Sequence, residues 1–184
     1  MKIVLLIMMT SSFLFSSNLS SLYKLYEKQE YKKACDYAHK YWYKKVNKKS
    51  ESFLTLYGLS CLETDKIDRI AIPMVRLKGS KEARANASYL STILLQKELL
   101  MQMIIDGNKL AELHLPKTNF VISKIFSLYL KKKFILKKDV YTFQDELKEN
   151  IRYQMYMKSV KKNKKYMIID IYKDDKFIHR YRYE

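Results

Sequence analysis

The spacing of apolar residues changes once along this chain, and that change dictates its fold class. From Leu22 to about Gly107 apolar and small residues recur every three or four positions, as in Tyr31, Ala34, Tyr37, Ala38, Tyr41 and Trp42, then in Phe53, Leu56, Tyr57, Ser60 and Cys61. That is the period of amphipathic helices. In the last third of the chain the period falls to two. Ile151, Tyr153, Met155 and Met157 alternate with Arg152, Gln154, Tyr156 and Lys158; Met167, Ile169 and Ile171 alternate with Ile168, Asp170 and Tyr172; and Phe177, His179, Tyr181 and Tyr183 alternate with Ile178, Arg180 and Arg182. These are strands, with turn chemistry at Lys173–Lys176 and room for a further short strand at 140–143. The expectation is an α+β chain: helices first, a small antiparallel sheet last.

Punctuation refines the helical part. Lys48, Lys49 and Ser50 separate two helices, and a shorter helix is expected over 68–78, bent by Pro73 unless the proline falls in its first turn. Gly79 and Ser80 end that helix and cap the longest one, 81–106, which Gly107 stops. Its stretch from Ile93 to Ile105 is apolar nearly all round, which predicts the buried centre of the fold. The segment 106–118, with Pro116, reads as a loop, and Thr118 as the cap of a helix over 119–132.

Composition excludes several classes. Three glycines, far apart at Gly58, Gly79 and Gly107, cannot build a phosphate-cradling loop. Three scattered histidines and two cysteines give no local signature for a zinc cluster or a catalytic triad, and Glu98, Asp106 and Glu112 lie at no mechanistically defined spacing. No catalytic residue, cofactor site or metal site is assigned. With 48% hydrophobic and 14% aromatic residues the chain can bury a core. The net charge of +17 predicts attraction to anionic partners, although a lysine-rich genomic bias accounts for it equally well.

The amino terminus sets the compartment. Lys2 precedes an apolar run, Ile3–Phe15, broken only by Thr10, Ser11 and Ser12, and Ser16-Ser17-Asn18 follows. That is the order of a secretory signal peptide over residues 1–17, cleaved near Ser16 or Ser17. As a helix the apolar run spans about 20 Å, short of the ~30 Å hydrocarbon core, so no stable membrane anchor is expected after cleavage. Periplasmic localisation follows. In an oxidising compartment Cys35 and Cys61 are expected to pair.

A family resemblance arises at Leu25-Tyr26-Glu27-Lys28-Gln29-Glu30-Tyr31-Lys32-Lys33-Ala34-Cys35-Asp36-Tyr37-Ala38, which resembles the turn and second helix of a tetratricopeptide repeat. Leu56-Tyr57-Gly58-Leu59-Ser60-Cys61 resembles the first helix of a second repeat and Ile67–Ala71 its second helix. Two degenerate units within about 22–78 are fewer than the three or so a solenoid needs, so the helix 81–106 would cap them. In style and compartment the chain is also similar to small periplasmic proteins of the epsilon-proteobacterial type, some of which join the scaffold around the flagellar motor. The resemblance implies a helical region, 18–132, that presents a groove or face to a protein partner. A small β region, 133–184, completes the chain.

The candidate partner-binding residues are Tyr31, Tyr37, Tyr41 and Trp42, with Arg84 and Asn86 on a small, polar stretch that reads either as a close helix crossing or as a polar groove for a peptide. Lys161, Lys162, Lys164, Lys165, Arg180 and Arg182, interleaved with tyrosines, imitate a nucleic-acid sheet. A solvated strand face gives the same pattern, and export argues against nucleic acid. The sequence thus points to a non-catalytic periplasmic interaction or scaffold protein whose partner is another periplasmic or envelope protein. The alternatives are a basic module for an anionic envelope polymer or nucleic acid, and a secreted enzyme whose site forms only in three dimensions. Protein recovered from the cell envelope should have an intact mass reduced by the residues up to Ser16 or Ser17; a full-length cytoplasmic species would overturn export and restore the nucleic-acid reading.

Overall fold

A computed structural model describes residues 17–107, 115–160 and 164–183. Among them the chain is α+β: seven α-helices precede a five-stranded antiparallel sheet of order β1-β2-β3-β4-β5, so each strand pairs with its neighbour in sequence. The chain divides into two compact units within its longest helix, at Ala87 and Ser88. Of the expected leader, residues 1–16 lie outside the described residues. No described helix is long and apolar enough to cross a membrane.

The first unit contains α1 (Ser17–Glu27), α2 (Tyr31–Tyr41), α3 (Lys45–Lys49), α4 (Glu51–Leu62), a 3-10 turn (Ile67–Ile70), α5 (Ala71–Arg76) and the first turns of α6 (Lys81–Asp106). Its hub is α4, which packs against α1, α2, α3, the 3-10 turn and α5. The reason is compositional: α4 is apolar on almost every side and buries Phe53, Leu54, Tyr57, Gly58, Cys61 and Leu62. The stretch 93–105 of α6 departs from the sequence expectation, since Leu95 and Ile105 are exposed while the polar Gln96 and Lys97 are buried. The segment Lys48-Lys49-Ser50 also differs: the lysines end α3, and Ser50 caps α4 by accepting from the Phe53 amide at 3.2 Å. The expected 68–78 helix is shortened to α5, with Pro73 in its first turn, where the missing amide costs no helical bond.

Cys35 and Cys61 form a disulfide with Cα atoms 4.9 Å apart, joining α2 to α4 across 26 positions. Closing a loop of that length stabilises by about 3–4 kcal/mol in the chain-entropy account. Beside it His39 Nδ1 and the Tyr57 hydroxyl share a hydrogen bond of 2.8 Å. Burial pushes the Tyr57 hydroxyl up to about 12 and, helped by Arg69, lowers the His39 imidazole. Asp36 accepts from Lys66 and from Arg69, tying α2 to the 3-10 turn.

The second unit holds the rest of α6, α7 (Val121–Leu130) and the sheet: β1 (Ile135–Lys137), β2 (Val140–Gln144), β3 (Ile151–Val160), β4 (Lys164–Lys173) and β5 (Lys176–Tyr183). The register Met155↔Ile169↔Tyr181 and Met157↔Met167↔Tyr183 puts the period-two apolar set on one face. Phe143, Tyr153, Met155, Met167, Ile169 and Tyr183 are buried there. Helix α7 starts two residues later than expected, because Thr118 hydrogen-bonds ahead of it, accepting from Phe120 N at 3.3 Å and donating its amide to Ser123 Oγ at 2.8 Å. β1 was not legible in the sequence: three exposed residues cannot show an alternation.

Among the described residues four tight reversals are built without glycine. At the end of α1, Gln29 N donates to Tyr26 O and Glu30 N to Leu25 O, a Schellman motif whose left-handed position holds Gln29 at φ 57°. At the end of α7, Lys132 at φ 55° plays the same part. Both two-residue hairpin turns, Lys138-Asp139 and Asp174-Asp175, have φ positive at both positions, where Asn-Gly is the usual choice. A side chain at such a position costs about 1 kcal/mol relative to glycine. Gln29→Gly and Asp139→Gly should therefore each raise the stability of their own unit by about 1 kcal/mol in urea unfolding; no gain at either position would show that local contacts repay the strain.

Candidate functional site

The N-terminal turns of three helices in the first unit enclose a cleft of about 690 Å³. Helix α1 contributes Leu19, Ser20 and Tyr23, helix α4 Glu51, Ser52, Thr55 and Leu56, and the start of α6 Ser80, Glu82, Ala83 and Asn86. The spacing explains the grouping, since residues four apart on a helix share a face: Leu19 with Tyr23, Ser52 with Leu56, Glu51 with Thr55, Glu82 with Asn86. Leu19, Leu56, Ala83 and the half-exposed Tyr23 ring supply apolar surface, and hydroxyls and the Asn86 amide supply polar contacts.

Two hydrogen-bond sets hold the walls together. Asn86 Nδ2 donates to Thr55 Oγ1 at 3.2 Å, linking α6 to α4. Glu51 Oε1 accepts from the amides of Gly79 and Ser80, at 2.8 and 3.0 Å, while Ser80 Oγ accepts from Ala83 N at 3.0 Å. The start of α6 thus receives a capping hydroxyl and a carboxylate, both favoured where free amides gather. Hydrogen bonds from the Ser80 side chain and then its amide lower the Glu51 carboxyl below its ordinary range. A Cβ at Gly79 would lie 2.6 Å from Glu51 Oε1, so a larger residue there would push aside the carboxylate that accepts from the α6 amides.

The hydroxyls of the lining have no histidine, lysine or cysteine beside them among the lining residues, and Glu51, one of its two carboxylates, is engaged with backbone amides. Among the described residues no group of three or more His, Cys, Asp or Glu is placed to hold a metal ion.

Of the partner-binding candidates, Asn86 alone lines the cleft. Arg84 turns back and donates to the carbonyls of Lys78 and Gly79 at 3.1 and 2.6 Å. The α2 aromatics are engaged elsewhere. Tyr31 packs on Tyr26, Tyr37 donates to Asn18 Oδ1 at 3.0 Å and packs on Tyr41, Lys44 lies over the Tyr41 ring, and Arg76 and Lys48 lie over Trp42. The basic patch is not one surface of free cations either. Arg180 makes a two-pronged ion pair with the buried Asp170, at 2.6 and 2.7 Å, joined by the Tyr156 hydroxyl, and Arg182 lies over the Tyr166 ring. Lys165 is exposed, Lys164 opens β4 opposite Val160, and Lys161 and Lys162 lie outside the described residues.

Sequence reasoning missed Leu19, Ser20, Glu51, Ser52 and Thr55. The available signal was the polar pair Ser52 and Thr55 on an otherwise apolar helix, together with Glu51 one residue after a serine cap. No protein family, curated protein or solved structure matches this chain. Glu51→Ala should lower the urea midpoint of the first unit and Glu51→Gln should lower it less, because the glutamine oxygen still accepts from the Gly79 and Ser80 amides; equal midpoints for both variants and the parent would show that the carboxylate does not hold α6 in place.

Proposed function

We propose that this chain is a non-catalytic interaction protein of the periplasm, and that its cleft takes a segment of another periplasmic or envelope protein. The observation that carries the reading is the cleft's lining: apolar side chains interspersed with hydroxyls and an amide, with no histidine, lysine or cysteine among them. Such a surface suits recognition by shape and hydrogen bonding. The Cys35–Cys61 disulfide is compatible with an oxidising compartment and supports the exported reading of the amino terminus. Helices α1 and α2, followed by α4 with the 3-10 turn and α5, occupy the stretches that resemble two tetratricopeptide units, a family in which helical pairs build a partner-binding face.

The test fills the cleft without touching the core. Ser52 is exposed on the first turn of α4 and lines the cleft, so Ser52→Trp should leave the circular dichroism spectrum unchanged. Capture of the partner from detergent-solubilised envelope should fall about tenfold or more, as blocked interface centres do. Charge reversal at Lys165 should leave capture intact, because an exposed charge contributes only about 0–1 kcal/mol. The opposite result, full capture by Ser52→Trp and loss on charge reversal, would replace this reading with that of an electrostatic module.

A further inference from the structure

The two ends of the first unit differ in charge. Where α1 meets the start of α2 and α4 finishes, the signs are mixed. Lys33 pairs with Glu30 at 2.8 Å, Lys66 and Arg69 pair with Asp36, and Glu27, Glu63, Asp65 and Asp68 stand in the same turns. At the other end, where α2 runs through α3 into α4, residues 37–50 hold Lys40, Lys44, Lys45, Lys48 and Lys49 and no carboxylate. All five lysines are exposed, and among the described residues none of them enters an ion pair. Glu51, the next carboxylate along the chain, is taken up by the Gly79 and Ser80 amides.

Aromatic and aliphatic side chains share this lysine-rich end. Lys40 and Lys44 lie over the Tyr41 ring, 5.4 and 4.6 Å from its centroid, while Lys48 and Arg76 lie over Trp42 at 5.7 and 4.9 Å, so cations and rings interleave. Asn47 is the one buried residue of α3, its Nδ2 donating to Tyr41 O at 2.7 Å, which leaves Lys45, Val46, Lys48 and Lys49 facing solvent. Tyr43 and Val46 are 58% and 49% accessible, whereas among the described residues no large hydrophobic side chain is exposed at the mixed-charge end.

Lysines alone would suit any anion. Lysines with an exposed ring and an exposed aliphatic chain among them match an anionic lipid headgroup layer, which attracts ammonium groups and accepts aromatic and aliphatic side chains at its hydrocarbon boundary. A soluble polyanion would use the lysines and gain nothing from Val46. We propose that this end of the first unit docks peripherally on an anionic membrane surface, with the five lysines on the headgroups and Trp42, Tyr43 and Val46 at the interface. The entry of the chain supports it. Helix α1 begins at this end, where Asn18 accepts from the Tyr37 hydroxyl at 3.0 Å, so in the exported reading the leader draws this end toward the bilayer before it is cut. None of these docking residues lines the cleft, so the proposal is independent of what the cleft takes.

Trp42 is the chain's one tryptophan, so its fluorescence reports on this surface directly. The test is titration of the purified chain with phosphatidylglycerol–phosphatidylcholine vesicles, and with phosphatidylcholine vesicles alone, followed by Trp42 emission and by sedimentation. All variants share the parent's amino terminus, so any contribution from residues 1–16 is common to them. Binding should require phosphatidylglycerol, weaken steeply with salt, shift Trp42 emission to shorter wavelength and protect it from iodide quenching. Lys45→Glu with Lys49→Glu should weaken binding more than tenfold, since each lysine lost removes about fivefold and repulsion is added. Tyr43→Ser with Val46→Ser, at exposed sites, should weaken it about tenfold. Lys173→Glu with Lys176→Glu, an equal charge change at exposed sites of the second unit, should leave it nearly unchanged. Absence of phosphatidylglycerol-dependent binding would overturn the proposal, as would binding that leaves Trp42 emission unaltered, because another surface would then be docking. Equal weakening by the two charge reversals would overturn it in favour of diffuse attraction by the net charge. Serine variants that bind as the parent does, with binding lost on charge reversal at Lys45 and Lys49, would replace it with a polyanion site.

Discussion

Reversing direction without glycine is the constraint on which both units depend. A chain with three glycines still has to end α1 and α7 and to close two tight hairpins, and it does so by placing Gln29, Lys132, Lys138, Asp139, Asp174 and Asp175 in the left-handed region. Each such residue carries strain of about 1 kcal/mol or more, which persists only where neighbouring bonds over-determine the conformation. They do so here. Schellman bonds fix Gln29 and Lys132, and the strand pairs Lys137↔Val140 and Lys173↔Lys176 flank the hairpin turns. Three of the six are aspartates, whose short polar side chain tolerates that region best after asparagine and glycine.

Once the turns are set, the two units settle their polar groups in different ways. In the first unit α4 is apolar nearly throughout, and the polar contacts sit at its margins: the disulfide and the His39–Tyr57 bond toward α2, the Thr55–Asn86 and Glu51–Ser80 bonds toward α6. The cleft lies among those margins, with Ser20, Ser52 and Glu82 in its lining. In the second unit the sheet's outer face buries Ile168 and Asp170 as well as the inner apolar set, so Arg180 and Tyr156 must satisfy Asp170. An unpaired carboxylate at that depth would cost several kcal/mol.

The formal charge of +17 therefore misstates what the surface offers. Arg180, Lys124, Lys131, Lys133 and Arg152 are committed to carboxylates, and Arg76, Lys44 and Lys48 lie on aromatic rings. Outward-facing lysines remain at both ends of the sheet: Lys137, Lys138, Lys158 and Lys165 at one, Lys173 and Lys176 at the other. Counting lysines along the sequence gives no access to which of them are committed, because pairing partners such as Lys131 and Glu146 are 15 residues apart.

The sequence by itself determined the elements. A period of three to four residues and then of two is a property of local geometry, so the helices α2, α4 and α6, the strands β3, β4 and β5, and the Ser80 cap all follow from neighbours within a few positions. The Cys35–Cys61 pairing was legible because two cysteines allow one partner. Only the tertiary structure decided that α4 rather than α6 is the hub of the first unit, that β1 exists at all, and that the cleft is lined by Leu19, Thr55 and Asn86 instead of the α2 aromatics. Those outcomes depend on which helix faces meet across 30 or more residues, and on which side chains find a cation or a hydrogen-bond partner there. Such contacts are decided by packing in three dimensions, and no local period encodes them.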